Sequence, residues 1–387
     1  MITLSLSEAR SLALHRQLLH RQYRLRGKAD VRRVIEQIGY VQIDTLSVVK
    51  RAHHHVLWSR IPDYQPEYLK ALEKERLVFE YWAHAAGYLP IKHYRFTLPR
   101  QEEVRAGKGL WHYRNPKLMQ YALDRIKAEG PLMSRNFKKD RIKLYFGGKK
   151  EWSTSAISHT LFQLFMEGHV MVVERKGFQK VFDLTERVLP TEVSTKKPSR
   201  SEYICHLIDR DIQSHGLVKS NEIGYLLKNT RADVNRILKE MEEAGEIVKL
   251  SVEGLDQPYY SQPKFLEKLP VVSRERRIRI LSPFDNLIIQ RKRTEELFNF
   301  SYTIECYVPK AKRKIGYFSL PLLRGTKFVG QIDLKADRKA KVLLVKNLVW
   351  ENGNENKQHL RETLLKSLQE FATFNGCEEI EGGRFGM

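Results

Sequence analysis

The sequence predicts an α+β protein in which tandem winged-helix units are followed by a small C-terminal β-barrel or sheet with a terminal helix. Two observations support this fold class. Apolar residues recur in groups at the spacing of helices, and the later groups are followed by short alternating segments typical of a β-hairpin. From about Arg279 the apolar spacing changes to two, which is the spacing of β-strands. We therefore divide the chain into four units, residues 1–110, 111–195, 196–270 and 271–387.

The first unit combines helices with strands. We predict that Ser7 caps a first helix and that a second helix runs from Asp30 to about Ile38. Gly39 ends this second pattern, and residues 40–45 then alternate β-branched and polar side chains as a strand does. Further helices are predicted over residues 51–60, 66–76 and 94–105, and a strand is predicted over residues 77–82.

The second and third units repeat one order of elements, helix, helix and then β-hairpin, which describes a winged helix. Residues 191–200 are the clearest linker between them, and Gly177 is predicted at the tip of the first hairpin. The second unit has predicted helices at 117–129 and 155–167 and strands at 170–174 and 180–184. The third has predicted helices at 203–214, 220–228 and 231–243 and strands at 247–252 and 258–261.

The fourth unit is predicted to be a small sheet or barrel closed by one amphipathic helix. Its strands are separated by turn signals, of which Leu323-Arg324-Gly325 is one. The predicted strands are 287–291, 302–308, 315–320, 327–335 and 341–349, and the terminal helix is 358–374.

The 387-residue chain has a formal net charge of +22 and a pI near 9.7. A charge of that size indicates a polyanionic partner, and nucleic acid is the commonest one. Cys205, Cys306 and Cys377 are odd in number and far apart in the sequence, a pattern that indicates neither a disulfide framework nor a zinc ligand set. The sequence shows neither a signal peptide nor an apolar run of membrane-spanning length, and we expect a cytoplasmic protein. We also expect it to be a monomer and to associate with the nucleoid.

The stretch from Gly39 to Thr45 is the candidate centre of the chemistry. In a strand, the side chains of Gln42 and Asp44 would leave the same face, roughly 7 Å apart. A water between them would be oriented by the amide and deprotonated by the carboxylate, which is sufficient for adding water to a substrate. The pattern by itself is weak, because an ordinary edge strand with a polar face has the same sequence.

The surroundings of this stretch resemble one known family. The matching segments follow one another over nearly the whole chain. They are Gln42-Ile43-Asp44, Arg51-Ala52-His53-His54, Trp82-Ala83-His84-Ala85, Glu186-Arg187-Val188-Leu189-Pro190, Leu281-Ser282-Pro283-Phe284-Asp285, Tyr307-Val308-Pro309 and Gly316-Tyr317. Together they are similar to the winged-helix DNA glycosylases that unhook interstrand crosslinks, the AlkZ/AlkX-like proteins. Because the third motif position is Asp44, the chain looks like the AlkX branch.

The resemblance implies a DNA repair glycosylase that acts on bulky N7-alkylated purines, with Gln42 and Asp44 as its catalytic residues. It also implies that His53 and His54 lie close to the catalytic face, where they would hold a DNA phosphate or help to shape the pocket. Helix packing and capping of the strand that carries the motif are the alternative roles for them. Arg51, which precedes them, is a further candidate DNA contact.

Other candidate DNA contacts follow from the residue types. Trp82 and His84 would share a strand face with Glu80, and Trp82 could stack on a base or pack in the core. Lys310, Lys312, Arg313 and Lys314 form a basic loop that is suited to clamping the DNA backbone, although a solvated hairpin would look alike. The hairpin residues Arg175 and Lys176 are weaker candidates. A basic cluster near the Gln-Ile-Asp motif could bind phosphates and comprises Arg16, Arg21, Arg24, Arg26, Lys28, Arg32 and Arg33.

We expect neither a metal nor another cofactor. His53, His54 and His55 are consecutive, and consecutive residues of a helix point in different directions, so the three cannot all bind one ion. The sequence contains no His-Glu-x-x-His pattern and no Cys-x-x-Cys pair. No lysine stands out as a Schiff-base nucleophile, which favours a monofunctional glycosylase.

The favoured mechanism attacks C1′ with a water that Asp44 deprotonates and Gln42 orients. N7-alkylated guanine is cationic and leaves readily, so no acid is needed, and Asp44 also balances the positive charge that develops on the sugar. We expect an open basic groove around Gln42, since a crosslinked base is hard to flip fully. The alternatives are a non-catalytic winged-helix DNA-binding regulator and a metal-dependent nuclease. The regulator is disfavoured because neither predicted reading helix carries a basic face.

Overall fold

The structure, a computed structural model, describes residues 2–20, 23–108, 114–139, 145–146, 149–150, 154–272, 275–351 and 357–382. Arg21 of the predicted basic cluster lies outside these residues. The chain is divided into two units. Unit 1 comprises Met1–Gln65 and Ile204–Met387, and unit 2 comprises Pro66–Tyr203.

The N-terminal segment of unit 1 is mainly helical. Its first helix is capped by Ser5, so the prediction of Ser7 as the N-cap is wrong. The Ser5 side chain accepts a hydrogen bond from the N–H of Glu8, and the Glu8 carboxylate accepts one from the N–H of Ser5, which is a capping box. The elements of this segment are β1 (Ile2–Leu4), α1 (Leu6–Arg16), α2 (Gly27–Ile38), β2 (Val41–Gln42) and α3 (Ala52–Trp58).

The strand predicted over residues 40–45 is present only at Val41–Gln42. The chain turns after it because the Asp44 carboxylate accepts a hydrogen bond from the N–H of Leu46 at 2.7 Å. Aspartate commonly forms such turns by bonding to the backbone two residues on. Gln42 and Asp44 are therefore not neighbours on one face of a strand, and the expected spacing along that face does not apply.

Unit 2 contains the predicted order of helix, helix and hairpin after an earlier helix and hairpin. The helix predicted at 94–105 begins as a 3₁₀ segment, Ile91–Thr97. Gly177 lies, as predicted, in the turn between the strands Val170–Lys176 and Gln179–Leu184. The elements are α4 (Pro66–Lys74), β3 (Val78–Trp82), β4 (Ala86–Pro90), α5 (Leu98–Arg105), α6 (Pro116–Glu129), β5 (Tyr145–Phe146), β6 (Lys149–Lys150), α7 (Thr154–Met166), β7 (Val170–Lys176), β8 (Gln179–Leu184) and α8 (Thr185–Val188).

A buried ion cluster joins the β3–β4 hairpin of unit 2 to its β7–β8 hairpin. Glu80 on β3 is buried, and Arg175 on β7 donates to both of its carboxylate oxygens at 2.8 Å. Lys180 on β8 approaches the same carboxylate at 2.8 Å. Arg175 is thus held inside the unit, which contradicts its weaker candidacy as a DNA contact. A buried carboxylate is tolerated only when it is paired in this way.

The segment after unit 2 supplies another helix pair and hairpin. The helix predicted at 220–228 is wrong, because these residues form turns. Within this stretch the N–H of Gly224 donates to the Asp211 carboxylate at 2.8 Å, and just before it the N–H of Lys219 donates to the Glu222 carboxylate at 3.1 Å. The elements are α9 (Arg200–His215), α10 (Arg231–Glu243), β9 (Val248–Val252), β10 (Leu255–Ser261) and α11 (Pro263–Leu266). The N-terminal strand β1 pairs in parallel with β9, opposite β10.

The C-terminal region is a five-stranded sheet with a terminal helix, which confirms the predicted α+β class and the sheet. Its strand order is β11-β12-β13-β14-β15. The strands predicted at 287–291 and 302–308 are wrong, and the one predicted at 315–320 begins only at Ser319. The elements are β11 (Ile278–Ile280), α12 (Arg291–Phe298), β12 (Ser319–Arg324), β13 (Lys327–Asp337), β14 (Val342–Trp350), α13 (Lys357–Asn375) and β15 (Glu379–Glu381).

A buried ion pair joins the N-terminal helices of unit 1 to the Leu281–Asp285 motif. Arg60 donates to the two carboxylate oxygens of Asp285 at 2.7 and 3.0 Å, and both side chains are fully buried. Arg60 also donates to the backbone carbonyl of Gln17 at 2.8 Å. Asp285 is therefore structural. Among the described helices, none combines the length and apolarity needed to cross a membrane.

Candidate active site

The entry to the Gln-Ile-Asp motif is fixed by glycine. Gly39 ends α2 with a φ of +82°, a backbone conformation that glycine adopts without strain. A Cβ at this position would lie 2.8 Å from Cγ of Arg210 on α9. The amide of Asn286 also donates to the carbonyl oxygens of Ile38 and Tyr40 at 3.1 Å each. Backbone and packing together therefore determine where the motif begins.

Asp44 is a half-buried carboxylate at the turn that follows β2. Burial raises the pKa of this carboxyl above its usual range. The N–H groups of Leu46 and Thr45 and the positive charge of Arg51 oppose that rise without cancelling it. A carboxylate with an increased affinity for a proton is a better base than an ordinary surface aspartate.

Gln42 lies two residues before Asp44 and is largely buried. Only 8% of the residue is exposed. Such a low exposure disagrees with our expectation that the Gln42 side chain lies in an open groove.

The residues of the Arg-Ala-His-His segment differ in their surroundings. Arg51 immediately precedes α3, and its positive charge acts to lower the pKa of the Asp44 carboxyl. His53 is buried, with its ring centroid 4.2 Å from that of His54. Nδ1 of His54 is hydrogen-bonded to the hydroxyl of Tyr64 at 2.7 Å. Arg51 and the half-buried His54 therefore remain accessible candidates for DNA contact, whereas His53 is packed.

His55 is part of the core. Its Nε2 is hydrogen-bonded to the backbone carbonyl of Ile280 at 2.9 Å. Burial lowers the pKa of His55 to about 4, so the ring is neutral at pH 7. Within the described ranges, no group of three or more His, Cys, Asp or Glu residues is arranged to hold a metal ion.

Trp82 and His84 belong to unit 2. Trp82 is half-buried at the end of β3, where it packs against the core of that unit, with Phe162 at a ring distance of 6.4 Å. The guanidinium of Arg100 lies 5.8 Å from the Trp82 ring. His84 follows the strand and is half-buried. β3 ends at Trp82, so His84 does not extend the strand face that Glu80 and Trp82 were expected to share with it.

The basic segment around Lys310 is a 3₁₀ turn rather than a loop between two strands. Lys310, Lys312 and Lys314 are exposed. Arg313 is half-buried, donates to the backbone carbonyl of Val308 at 2.9 Å, and lies 4.8 Å from the ring centre of Tyr317. The three lysines are thus free of the strand ladder and face solvent, as a DNA-backbone contact requires.

The basic cluster near the motif is mostly exposed. Arg24, Arg26, Lys28, Arg32 and Arg33 all lie at the surface of unit 1. Arg16 is instead used in packing, since its guanidinium donates to the backbone and side chain of one glutamine on α9.

Two neighbours of Asp44 were not recognised as site residues from the sequence. Burial is the largest cause of the raised pKa of both Cys306 and Tyr307. The negative charge of Asp44 also raises the pKa of each group. Tyr307 is 74% exposed. Its segment was noted for its family resemblance, but no pattern in the sequence links it to a residue as distant as Asp44.

Comparison with known proteins agrees with the resemblance seen in the sequence. A family model described as DNA glycosylase AlkZ-like matches residues 35–374. The solved structure of Streptomyces sahachiroi DNA glycosylase AlkZ superposes with a TM-score of 0.66 at 13% identity. The match covers 99% of this chain and 100% of that one. At this identity the structural likeness shows a shared fold, and the family match extends over Gln42, Asp44 and the segment around Tyr307.

Proposed function

This chain belongs to the AlkZ-like DNA glycosylase family, and we propose that it hydrolyses the N-glycosidic bond of N7-alkylated purines in duplex DNA, including those joined in interstrand crosslinks. The observation that carries this assignment is the environment of Asp44. Its half-buried carboxyl has a raised pKa, and it interacts electrostatically with Arg51 and with the exposed Tyr307. Perturbed carboxylates in such surroundings are typical of functional sites.

In the proposed reaction Asp44 takes a proton from a water that attacks C1′ of the sugar. The same carboxylate stabilises the positive charge that develops on the sugar as the cationic base leaves. Gln42 orients the water through its amide. The mechanism needs no metal and no covalent intermediate, which corresponds to a monofunctional glycosylase.

We propose that unit 1 contacts the DNA backbone through Arg51, His54 and the lysines around residue 312. The electrostatic effect of Arg51 on Asp44 supports a contact of Arg51 with a phosphate next to the attacked sugar. His53 is buried and would shape the site through His54. Trp82 and His84 remain proposed contacts from unit 2.

Several finer assignments belong to the same proposal. The helix, helix and hairpin groups at 116–184 and 200–261 are proposed as winged helices, and the four-unit division of the sequence is retained as a proposal. The aspartate at position 44 favours the AlkX branch. We further propose a cytoplasmic, nucleoid-associated monomer that requires no cofactor.

The decisive experiment measures release of an N7-guanine adduct and unhooking of a nitrogen-mustard crosslink, with EDTA present. We expect hydrolysis by the wild type and a loss of about 10²–10⁴-fold in Asp44→Asn, the range for removing a general base. Gln42→Ala should also lose activity if the amide orients the water. DNA affinity, measured by fluorescence anisotropy, should stay unchanged in both variants.

Asp209→Asn is the matched control, because it removes a carboxylate from α9 by the same substitution. It should keep full activity. If wild type binds the adducted duplex but releases no base, the catalytic proposal is wrong and the non-catalytic DNA-binding regulator takes its place. Full activity in Gln42→Ala would assign that buried amide to packing.

A further inference from the structure

A buried glutamate organises the segment that passes Asp44. Glu305 is 7% exposed, and its carboxylate accepts hydrogen bonds from three consecutive N–H groups of the same segment. The donors are Lys314 at 2.8 Å, Ile315 at 2.8 Å and Gly316 at 2.9 Å. Burial alone would raise the pKa of Glu305, but these three donors outweigh it and the pKa is lowered. The carboxylate is therefore ionised and closes residues 305–316 into a ring.

A second carboxylate holds the end of this segment. Asp333 on β13 accepts hydrogen bonds from the N–H of Tyr317 at 3.1 Å and from the N–H of Phe318 at 2.9 Å. A Cβ on Gly316 would lie 2.0 Å from an Asp333 oxygen, so only glycine allows the backbone to approach this closely. We call residues 305–318 the braced loop. Five successive N–H groups in it are bonded to just two carboxylates.

The braced loop presents an exposed aromatic ring that interacts electrostatically with the candidate catalytic carboxylate. Tyr307 is 74% exposed, although it lies only two residues from the buried Glu305. The end of this loop is held by Asp333 on β13, and the same strand donates a hydrogen bond from the N–H of Ala336 to the carbonyl of Val48, four residues after Asp44, at 2.9 Å. Asp44 also acts electrostatically on Tyr307 and on its neighbour Cys306. Lys310, Lys312 and Lys314 are exposed on the same loop. An exposed ring flanked by cations is the combination that proteins use to stack on nucleic-acid bases while they hold the backbone.

We propose that Tyr307 stacks on a nucleobase next to the sugar attacked at Asp44, and that Glu305 is a positioning residue that holds the tyrosine there. This inference rests on the proposed glycosylase function for its site and substrate class. It gives the site a contact with bases, which Arg51 and the loop lysines cannot supply because they bind phosphates. A stacked ring beside the reacting sugar would fill the space that the damaged base leaves.

The test uses duplexes that contain a tetrahydrofuran abasic analogue and one 2-aminopurine, placed opposite the analogue or as its 5′ neighbour. Stacking quenches 2-aminopurine, and this readout needs no catalysis. We expect wild type and Tyr307→Phe to quench the probe in one of the two positions. Tyr307→Ala and Tyr307→Leu should lose the quenching and bind about 5- to 100-fold more weakly. The salt dependence of binding should not change, because no charge is removed.

Leu365→Ala is the control for removing an exposed apolar side chain, since Leu365 is 46% exposed on α13. It should behave as wild type. Quenching that persists in Tyr307→Ala at both probe positions overturns the stacking role. Because Tyr307 is mostly exposed, its replacement should leave the melting temperature unchanged, so that a loss of quenching reports on the contact itself.

The role of Glu305 is tested by a double-mutant cycle. If Glu305 acts through Tyr307, Glu305→Gln reduces quenching in the wild-type background and has no further effect in Tyr307→Ala. Hydrogen exchange at the N–H groups of residues 314–316 should also accelerate in Glu305→Gln. Equal effects of Glu305→Gln in both backgrounds would overturn the positioning role.

The two proposals fail differently. Adduct release that Tyr307→Ala leaves intact, together with intact quenching, rejects the stacking role and keeps the glycosylase. Quenching that depends on Tyr307 in a wild-type protein that releases no adduct rejects the glycosylase and keeps a base-stacking DNA-binding site.

Discussion

Asp44 combines two properties that a general base must balance. Its burial raises the pKa of the carboxyl, whereas the N–H groups of Leu46 and Thr45 and the charge of Arg51 favour the ionised form. The side chain thus holds its own turn through one oxygen and keeps an increased proton affinity. A carboxylate of this kind accepts a proton more readily than a surface aspartate.

The pH dependence of the proposed reaction follows from this shift. Activity requires ionised Asp44, so it should fall as the pH decreases through the raised pKa. The acid limb of the single-turnover rate should therefore lie above the value of about 4 that is usual for aspartate. Arg51→Gln should move the limb to still higher pH, because the guanidinium favours the ionised carboxylate. An acid limb that Arg51→Gln leaves in place would show that another group controls the rate.

The difference between the predicted and observed strands also arises at single residues. Residues 40–45 alternate as a strand does, yet β2 stops at Gln42 because the Asp44 side chain captures the N–H of Leu46. Residues 302–308 and 315–318 alternate as well. Glu305 and Asp333 take the N–H groups of residues 314–318 that a strand ladder would use. The spacing of apolar side chains predicts which residues are buried. It does not predict which hydrogen-bond acceptor each backbone N–H group will have.

At the scale of elements, long helices and hairpins were predictable because each carries its own periodic pattern. α6, α7, α10 and α13 lie within one residue of their predicted bounds at each end. Contacts between elements were not predictable in the same way. The pairing of Glu80 with Arg175 and Lys180 joins hairpins that are far apart in the sequence, and each charge by itself looks like a surface residue.

We expect Glu80→Gln to lower the free energy of unfolding by about 3–5 kcal/mol, because two buried cations lose their counter-charge. The pKa of Glu80 is lowered in the folded protein, since Lys180 and Arg175 outweigh the effect of burial. Its contribution is therefore present above the usual glutamate pKa and is lost as the pH falls through the lowered value. Urea unfolding at several pH values measures both effects.

Glu174→Gln is the matched control, since Glu174 lies on the same hairpin as Arg175 and Lys180, in a half-exposed pair with Lys176 at 2.9 Å. Such a pair contributes about 0–1 kcal/mol. If Glu80→Gln costs no more than this control, the buried cluster does not stabilise unit 2 in the way described.

At the scale of the whole molecule, the charge of +22 predicted a polyanionic partner, and the family agrees with that prediction. The charge alone could not say which cations meet DNA. The structure distinguishes two groups of cations. Arg60, Arg175 and Arg293 form ion pairs with the buried carboxylates of Asp285, Glu80 and Glu222, respectively. Lys310, Lys312 and Lys314 are exposed on the braced loop.

Binding to undamaged duplex DNA should be strongly dependent on salt, and the loop lysines should carry part of that dependence. Replacing Lys310, Lys312 and Lys314 together by Gln should reduce the slope of log K against log salt by about 2–3, because each phosphate contact contributes roughly 0.9. Replacing Lys70, Lys239 and Lys366, which are exposed on helices, changes the net charge equally. An equal reduction in this control would assign the effect to net charge rather than to the loop.

The pairing of β1 with β9 has a consequence for biosynthesis. Residues 2–4 hydrogen-bond in parallel with residues 250–252, and Leu12 and Leu14 share a core with Leu250 and Phe300. Unit 1 is thus built from two segments, and all of unit 2 is translated between them. At the usual elongation rates, the first helices wait on the order of 10 s for their partners. Unit 2 is one continuous stretch, so on the ribosome it is the first of the two that has all of its residues available to fold.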